Sequence, residues 1–391
     1  MITIILLIII YLSFISLGLP DSILGSAWPA MYGTLSVPLH YAGFISMIIA
    51  GGTVISSIFS ERIIRRFGTG IVTASSVFMT AVALMGFSFS HYFLLLCFCA
   101  IPLGLGAGSV DAALNNYIAL HYKAKHMNWL HCFWGIGASI GPFIISTFLI
   151  IHNSWNLGYR TIGIIQSFLV IILCIALPLW GKNEFEKTNA PEKKYKSLKI
   201  AALLKITGVK HMLIIFFCYC TIESITGLWG SSYLVTIRTI PAEIAARWIA
   251  LYYIGITAGR FVSGFLSMRL NNWYMIRLGH CLIACGITIV LVPFLGNTMV
   301  LPGFFIIGLG CAPIFPALLH ETPENFGKEY AQAIMGIQMA SAYIGTTVMP
   351  PLFGKIASYS GFSIFPVFIG IVLVIKIILV GILHKKLKNI A

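Results

Sequence analysis

From Ile2 to Leu19 the chain runs without a single charged residue, and apolar stretches of comparable length recur from one end to the other. Such a stretch, wound as a helix, is long enough to cross the hydrocarbon core of a bilayer. None shows the ten-residue alternation of a membrane β-strand, so the spans are helices, whose backbone groups are satisfied within the segment where no water is available. Twelve spans are expected, centred near residues 12, 49, 79, 106, 140 and 169 and near 224, 256, 287, 309, 343 and 372. Composition agrees. At 59% hydrophobic and 9% charged residues, with mean hydropathy +0.95, the chain is far from the roughly one-quarter charged content of soluble domains.

Two segments repeat the same pattern. Asp21-Ser22-Ile23-Leu24-Gly25 and Glu223-Ser224-Ile225-Thr226-Gly227 each place an acid inside an apolar run, 202 positions apart. Ala50-Gly51-Gly52 leads to Arg62, and Ala258-Gly259-Arg260 leads to Arg269, with a similar offset. An ionisable group at membrane depth is costly and is by default a functional candidate. Two copies of one helical unit, each with an acid in its first helix, form the pattern of a secondary transporter built from parallel repeats.

The expected fold is therefore an all-α membrane protein of twelve transmembrane helices in two six-helix bundles, covering 1–180 and 211–391, with a cytoplasmic linker at 181–210 between them. Within that polar linker, Leu198-x-x-Ala201-x-Leu203-Leu204 reads as a short amphipathic helix on the membrane surface.

The net charge of +14 is topological. Nineteen of the 25 Lys and Arg residues fall on one side of the alternating loops, eight of them between Lys182 and Lys210. This positive-inside bias puts both termini in the cytoplasm of a cell-membrane protein. It implies attraction to anionic lipid and no role in nucleic-acid binding. The amino-terminal apolar run has no basic leader and no small-x-small cleavage site, so it is read as a retained first span. Eight of the nine cysteines lie inside spans as packing residues, and no zinc spacing occurs. No nucleotide loop or nucleophile elbow is present. The expectation is a non-enzyme without metal or cofactor, acting as a monomer on a small-molecule substrate and protons.

Two acids carry the coupling argument. Asp21 follows Pro20, which lacks an N–H and leaves a carbonyl of the preceding turn free. Asp111 and Asn115 are four apart and share one helix face, beside the glycines at 104, 106 and 108 that permit close helix approach. Low dielectric disfavours a charged carboxylate, which suits a group that takes a proton from one side and releases it to the other. Glu223 is a third buried acid with three open roles: a proton site, a substrate ligand, or the partner of Arg260. These two are read as the only opposite charges at membrane depth in the second half.

The chain resembles the major facilitator superfamily. Ser57-x-x-x-Glu61-Arg62-Ile63-Ile64-Arg65-Arg66 is similar to its Gly-x-x-x-Asp-Arg-x-Gly-Arg-Arg/Lys signature, with both glycines replaced, and Gly259-Arg260-Phe261-Val262-Ser263-Gly264 with Arg269 is similar to its second copy. The resemblance implies a gate formed by Glu61, Arg62, Arg65, Arg66 and Arg260. Within the superfamily the chain looks closest to the fucose:proton symporter family of sugar transporters. The carriers of that likeness are Leu19-Pro20-Asp21-Ser22-Ile23-Leu24, Gly106-x-Gly108-x-x-Asp111-x-x-x-Asn115, Phe217-Cys218-Tyr219 and Ile314-Phe315-Pro316-Ala317. It implies a proton-coupled carrier of a small polar solute, with Asp21 and Asp111 in coupling; Glu223, where the family more often has an uncharged polar residue, joins them as a coupling candidate only as an acid at membrane depth.

Sugar recognition needs planar polar groups for hydroxyls and aromatic faces for the ring. The candidates are Asn115, Asn116, His131, Trp134, Gln166, Trp229, Gln338 and Tyr343, with Tyr233 as a further possibility. Trp28 is read as an interfacial belt residue. Gly135-x-Gly137-x-x-x-Gly141-Pro142 resembles a motif of drug:proton antiporters and keeps export of drugs or metabolites open as the alternative.

Overall fold

The computed structural model describes residues 2–122, 124–184, 200–292 and 296–388, and every regular element among them is helical. The first half contributes α1 (Ile2–Thr34), α2 (Ala42–Phe67), α3 (Thr69–Ser88), α4 (Phe93–His121), α5 (Ala124–His152) and α6 (Trp155–Glu184). After the short α7 (Ile200–Leu203), the second half contributes α8 (Val209–Thr236), α9 (Ala242–Leu266), α10 (Asn272–Leu291), α11 (Gly296–Cys311), α12 (Ile314–Phe326), α13 (Lys328–Ser360) and α14 (Phe365–Lys388).

Among the described residues, eleven of these stretches are long and apolar enough to cross a membrane, with α11 and α12 together forming one. Pro313 separates that pair, because it has no N–H with which to continue the ladder of α11. The twelfth position is α13, whose 33 residues are diluted by Gln338, Ser341, Thr346 and Thr347. All twelve expected centres fall on these helices.

Packing repeats between the halves. α1 lies on α5, α2 on α4, and α3 on α4 and α6; correspondingly α8 lies on α13, α9 on α11, and α10 on α11 and α14. The halves are thus two six-helix bundles related by an approximate twofold. The contacts between them obey it too: α1 meets its counterpart α8, and α2 meets α13 as α9 meets α5. Gly25 and Gly227, each four residues past the acid of its motif, meet on that axis, where a Cβ on Gly25 would overlap the Gly227 carbonyl oxygen. Asp21 and Glu223 therefore stand on facing, equivalent helices.

Twelve crossings return the chain to the face where it started, here called the terminal face. Near the opposite face the bundles are closed by Gly25 against Gly227 and Leu228, and by Gly43 against Pro351.

Two expectations change. Of the surface helix expected over Leu198–Leu204, positions 198 and 199 lie outside the described residues, and the rest forms the single turn of α7, with Leu203 buried against the second bundle. Gly208 at φ +95° then redirects the chain into α8. Trp28 is wholly buried rather than facing lipid, and its indole N–H donates to the Leu39 carbonyl. The Leu39–Tyr41 turn folds back over the end of α1 and removes this residue from any belt.

Candidate functional site

Along α1 every residue from Ser16 to Pro29 is buried except Asp21, which is exposed. Exposure at mid-helix, on a helix packed against α5, α6, α8 and α9, means that this carboxylate opens onto an internal space between the bundles. Trp134 Nε1 donates to Asp21 Oδ2 at 2.7 Å. The geometry follows from small residues. Gly18 lies under the Trp134 carbonyl and Gly137 against the Ile15 carbonyl, so α5 sits close enough on α1 to deliver the indole.

Pro20 does not break α1. Its missing N–H frees the Ser16 carbonyl four residues back, and Gln166 on α6 fills the vacancy by donating Nε2–H at 2.7 Å. Thr80 on α3 donates to Gln166 Oε1 at 2.6 Å. The amide is wholly buried.

The other face of the Trp134 ring belongs to the second bundle. The Arg260 guanidinium lies 4.9 Å from the indole centroid. Arg260 Nη2 in turn stands 3.8 Å from Glu223 Oε1, with the two side chains 21% and 24% exposed. Asp21, Trp134, Arg260 and Glu223 thus form one continuous chain of contacts, running from the acid of the first repeat to the acid of the second. Both halves of Trp134 are used: the polar N–H by the anion, and the π-face by the cation.

Asp111 borders the same region. Asn115 Nδ2 donates to Asp111 Oδ1 at 2.9 Å, while Asn115 Oδ1 is buried with no partner. Asp21 and Asp111 lie within electrostatic range of each other, and so do Asp111 and Tyr343 of α13. Tyr343 also lies close to Ser57 of α2, where α13 and α2 bring the bundles together.

The Major Facilitator Superfamily profile matches residues 10–340. The chain belongs to the major facilitator superfamily. It is accordingly a multi-pass membrane transporter and not an enzyme. The glucose/mannose transporter GlcP of Bacillus subtilis (strain 168) is 24% identical over 322 residues, which are 81% of this chain and 76% of that one. The cis,cis-muconate transport protein of Acinetobacter baylyi is 20% identical over 335 residues, covering 81% and 78%. Bypass of stop codon protein 6 of Saccharomyces cerevisiae is 23% identical over 385 residues, covering 90% and 77%. A crystal structure of the nucleoside transporter NupG superposes with a TM-score of 0.78 at 14% identity, over 97% of this chain and 98% of that one, and shares the fold.

Several expected solute contacts of this facilitator have other positions. Gln166 serves the Pro20 vacancy, and Gln338, wholly buried, exchanges hydrogen bonds with Thr322. Trp229 is wholly buried, donates to the Pro350 carbonyl at 2.9 Å and packs at a tilt against Phe353 and Phe362. Tyr233 is buried with its hydroxyl on the Val290 carbonyl. Buried as they are, none of these lines the space beside Asp21 in this conformation. His131 is half-buried, edge-on to Phe14 of α1, and within electrostatic range of Arg260. Asn116 is exposed. Arg62, Arg65 and Arg66 are exposed at the end of α2, with Arg66 over the Phe67 ring. The Glu61 side chain, central to the expected gate, lies outside the described residues.

Three residues of this region were not singled out from the sequence. Tyr252 donates its hydroxyl to the Glu223 carbonyl at 3.1 Å, and Tyr253 lies within electrostatic range of both Asp21 and Glu223. The signal was available: Tyr253, Thr257 and Arg260 are spaced along one helix face. The third is Lys376, wholly buried in α14. It corrects the expectation that Glu223 and Arg260 were the only opposite charges at depth in the second half. The rule that flagged the acids applies equally to a lone lysine in an apolar run.

Proposed function

We propose that this protein carries a small polar solute, a sugar by preference, across the cell membrane in symport with protons, by alternating access of the space around Asp21. The observation that carries the reading is the continuous Asp21–Trp134–Arg260–Glu223 contact chain. Such a chain gives protonation of one bundle a direct physical consequence for the other. When Asp21 takes a proton, its attraction for the indole N–H weakens, and the indole becomes free to turn under Arg260. The glucose/mannose specificity of the GlcP relative supports a sugar, and an aromatic face flanked by amides and acids suits one. Closure near the non-terminal face supports an inward-facing state with the termini in the cytoplasm.

A carboxylated solute is the second reading. Arg260 is partly exposed beside the cavity, and a guanidinium there would take a carboxylate in bidentate fashion. The glycine-proline motif of α5 no longer argues for export, because Gly137 and Gly141 are accounted for by the close approach of α5 to α1.

The test is uptake of labelled hexoses, pentoses and dicarboxylates into proteoliposomes, with and without an inward proton gradient. Accumulation of a sugar only under the gradient, lost in Asp21→Asn, is the expected result. Gradient-independent equilibration or outward-only movement overturns the symport reading, and dicarboxylate accumulation selects the second.

A further inference from the structure

Lys376 lies halfway along α14, in a run from Phe365 to Leu383 that contains no other charged residue. It is wholly buried, and its Nζ has no hydrogen-bond partner. The ammonium stands over the Tyr219 ring, 5.0 Å from the centroid. A π-face recovers only part of the cost of removing an ammonium from water. The Tyr219 hydroxyl and His280 Nε2, on the two helices packed against α14, are equally buried and unpartnered. A buried cation without an acceptor in one conformation points to a partner reached in another.

The candidates for that partner are few. α8 brings Cys218, Cys220 and Glu223 within electrostatic range of Lys376, α11 brings Cys311, and α10 brings His280. Of these only Glu223 is an acid. Glu321, a buried acid of the second bundle, already accepts from Asn272 and Asn325. Glu223 itself is loosely held. Its 3.8 Å contact with Arg260 is longer than a hydrogen bond. The groups facing it from α9 are Arg260 and the hydroxyls of Tyr252 and Tyr253, and across the interface Asp21 acts through Tyr253. Tyr219 and Glu223 are one turn apart on one face of α8, so the ammonium over the Tyr219 ring stands on the side of α8 that carries Glu223.

We propose that Lys376 is a second, internal counter-charge of Glu223, and that the carboxylate exchanges between Arg260 on α9, at the cavity, and Lys376 on α14 during the transport cycle. With Glu223 on Lys376, Arg260 is released to the solute; with Glu223 on Arg260, the guanidinium is occupied and Lys376 waits on the Tyr219 ring. Lys376 is a positioning residue that acts through Glu223. Its consequence for transport rests on the symport reading, whereas its effect on Glu223 does not.

The experiment therefore reads the carboxyl and needs no solute. The infrared band of protonated Glu223, assigned by its loss in Glu223→Gln, is titrated in the purified full-length protein and in Lys376→Met and Lys376→Arg. Removing a nearby positive charge favours the protonated acid. The expected result is that Lys376→Met raises the protonated fraction of Glu223 at neutral pH about tenfold, the equivalent of one pH unit, while Lys376→Arg restores the wild-type titration. Superimposable titrations for wild type and Lys376→Met overturn the proposal and leave the symport reading intact. Lys376→Gln, read by the same band, serves if the methionine variant does not fold. A purely structural lysine would change thermal stability and leave the band unmoved.

Discussion

Trp134 and Arg260 stand on opposite bundles, with the guanidinium 4.9 Å from the indole centroid. The same indole donates to Asp21 at 2.7 Å, so one side chain touches an acid of one repeat and a cation of the other. Trp134→Phe keeps the π-face and removes the N–H. We expect it to preserve folding but to lower gradient-driven uptake at least tenfold, in line with the 1.5–3 kcal/mol typical of about one hydrogen bond to a charged group. Trp134→Ala, which removes both contacts, should be worse. Equal uptake in wild type and Trp134→Phe would show that the hydrogen bond carries no coupling.

Asp21→Asn and Asp111→Asn should each abolish proton-driven accumulation, because an amide cannot cycle a proton. Counterflow exchange at fixed pH should survive in at least one of them. Accumulation that persists in both variants rules out these acids as the coupling pair.

Arg260 and Glu223 are both about a fifth exposed, at 21% and 24%, and 3.8 Å apart. That exposure moves the pair away from the several kcal/mol of a fully buried bridge. A thermal-stability cycle over Glu223→Gln, Arg260→Gln and the double variant should give a coupling energy of about 1 kcal/mol, between the surface and buried limits. Strictly additive losses would show no pairing.

Gln166→Leu leaves the Ser16 carbonyl without its side-chain donor in the bundle interior, while the Thr80 hydroxyl keeps the Val77 carbonyl as acceptor. A loss of about 1–3 kcal/mol per unsatisfied group is expected, seen as a lowered Tm with unchanged KM for whatever solute is carried. A raised KM at unchanged Tm would return Gln166 to the solute site.

Gly25 meets the Gly227 backbone near the non-terminal face. Gly25→Val should therefore prop the bundles apart there, and spin labels at Ser36 and Ile237 should show a longer separation than in the wild-type background. An unchanged distance with full transport would mean that this contact does not close the carrier.

How much of this was legible beforehand differs by residue. The spans, the repeat and the equivalence of Asp21 with Glu223 were read from pattern alone, because a bilayer restricts a chain to apolar helices and a duplication leaves matched motifs at a fixed offset. The Asp111–Asn115 contact followed from i, i+4 spacing within one helix. Trp134 was visible as an aromatic candidate, but that its N–H meets Asp21 and its face meets Arg260 depends on how α5 seats on α1 and α9. Gln166, Gln338 and Trp229 have the chemistry of solute ligands, yet tertiary packing uses them to satisfy helix carbonyls and neighbouring side chains.

The sequence by itself determined a membrane protein of two repeated six-helix bundles with acids at depth, since hydropathy and periodicity are properties of each segment taken alone. Only the tertiary structure decided which polar groups face the cavity, which plug a proline vacancy such as that at Ser16, and which remain buried without a partner, as Lys376 does. Those outcomes depend on the rotation of each helix about its own axis, and neighbouring helices set that rotation through contacts as small as one glycine against one carbonyl.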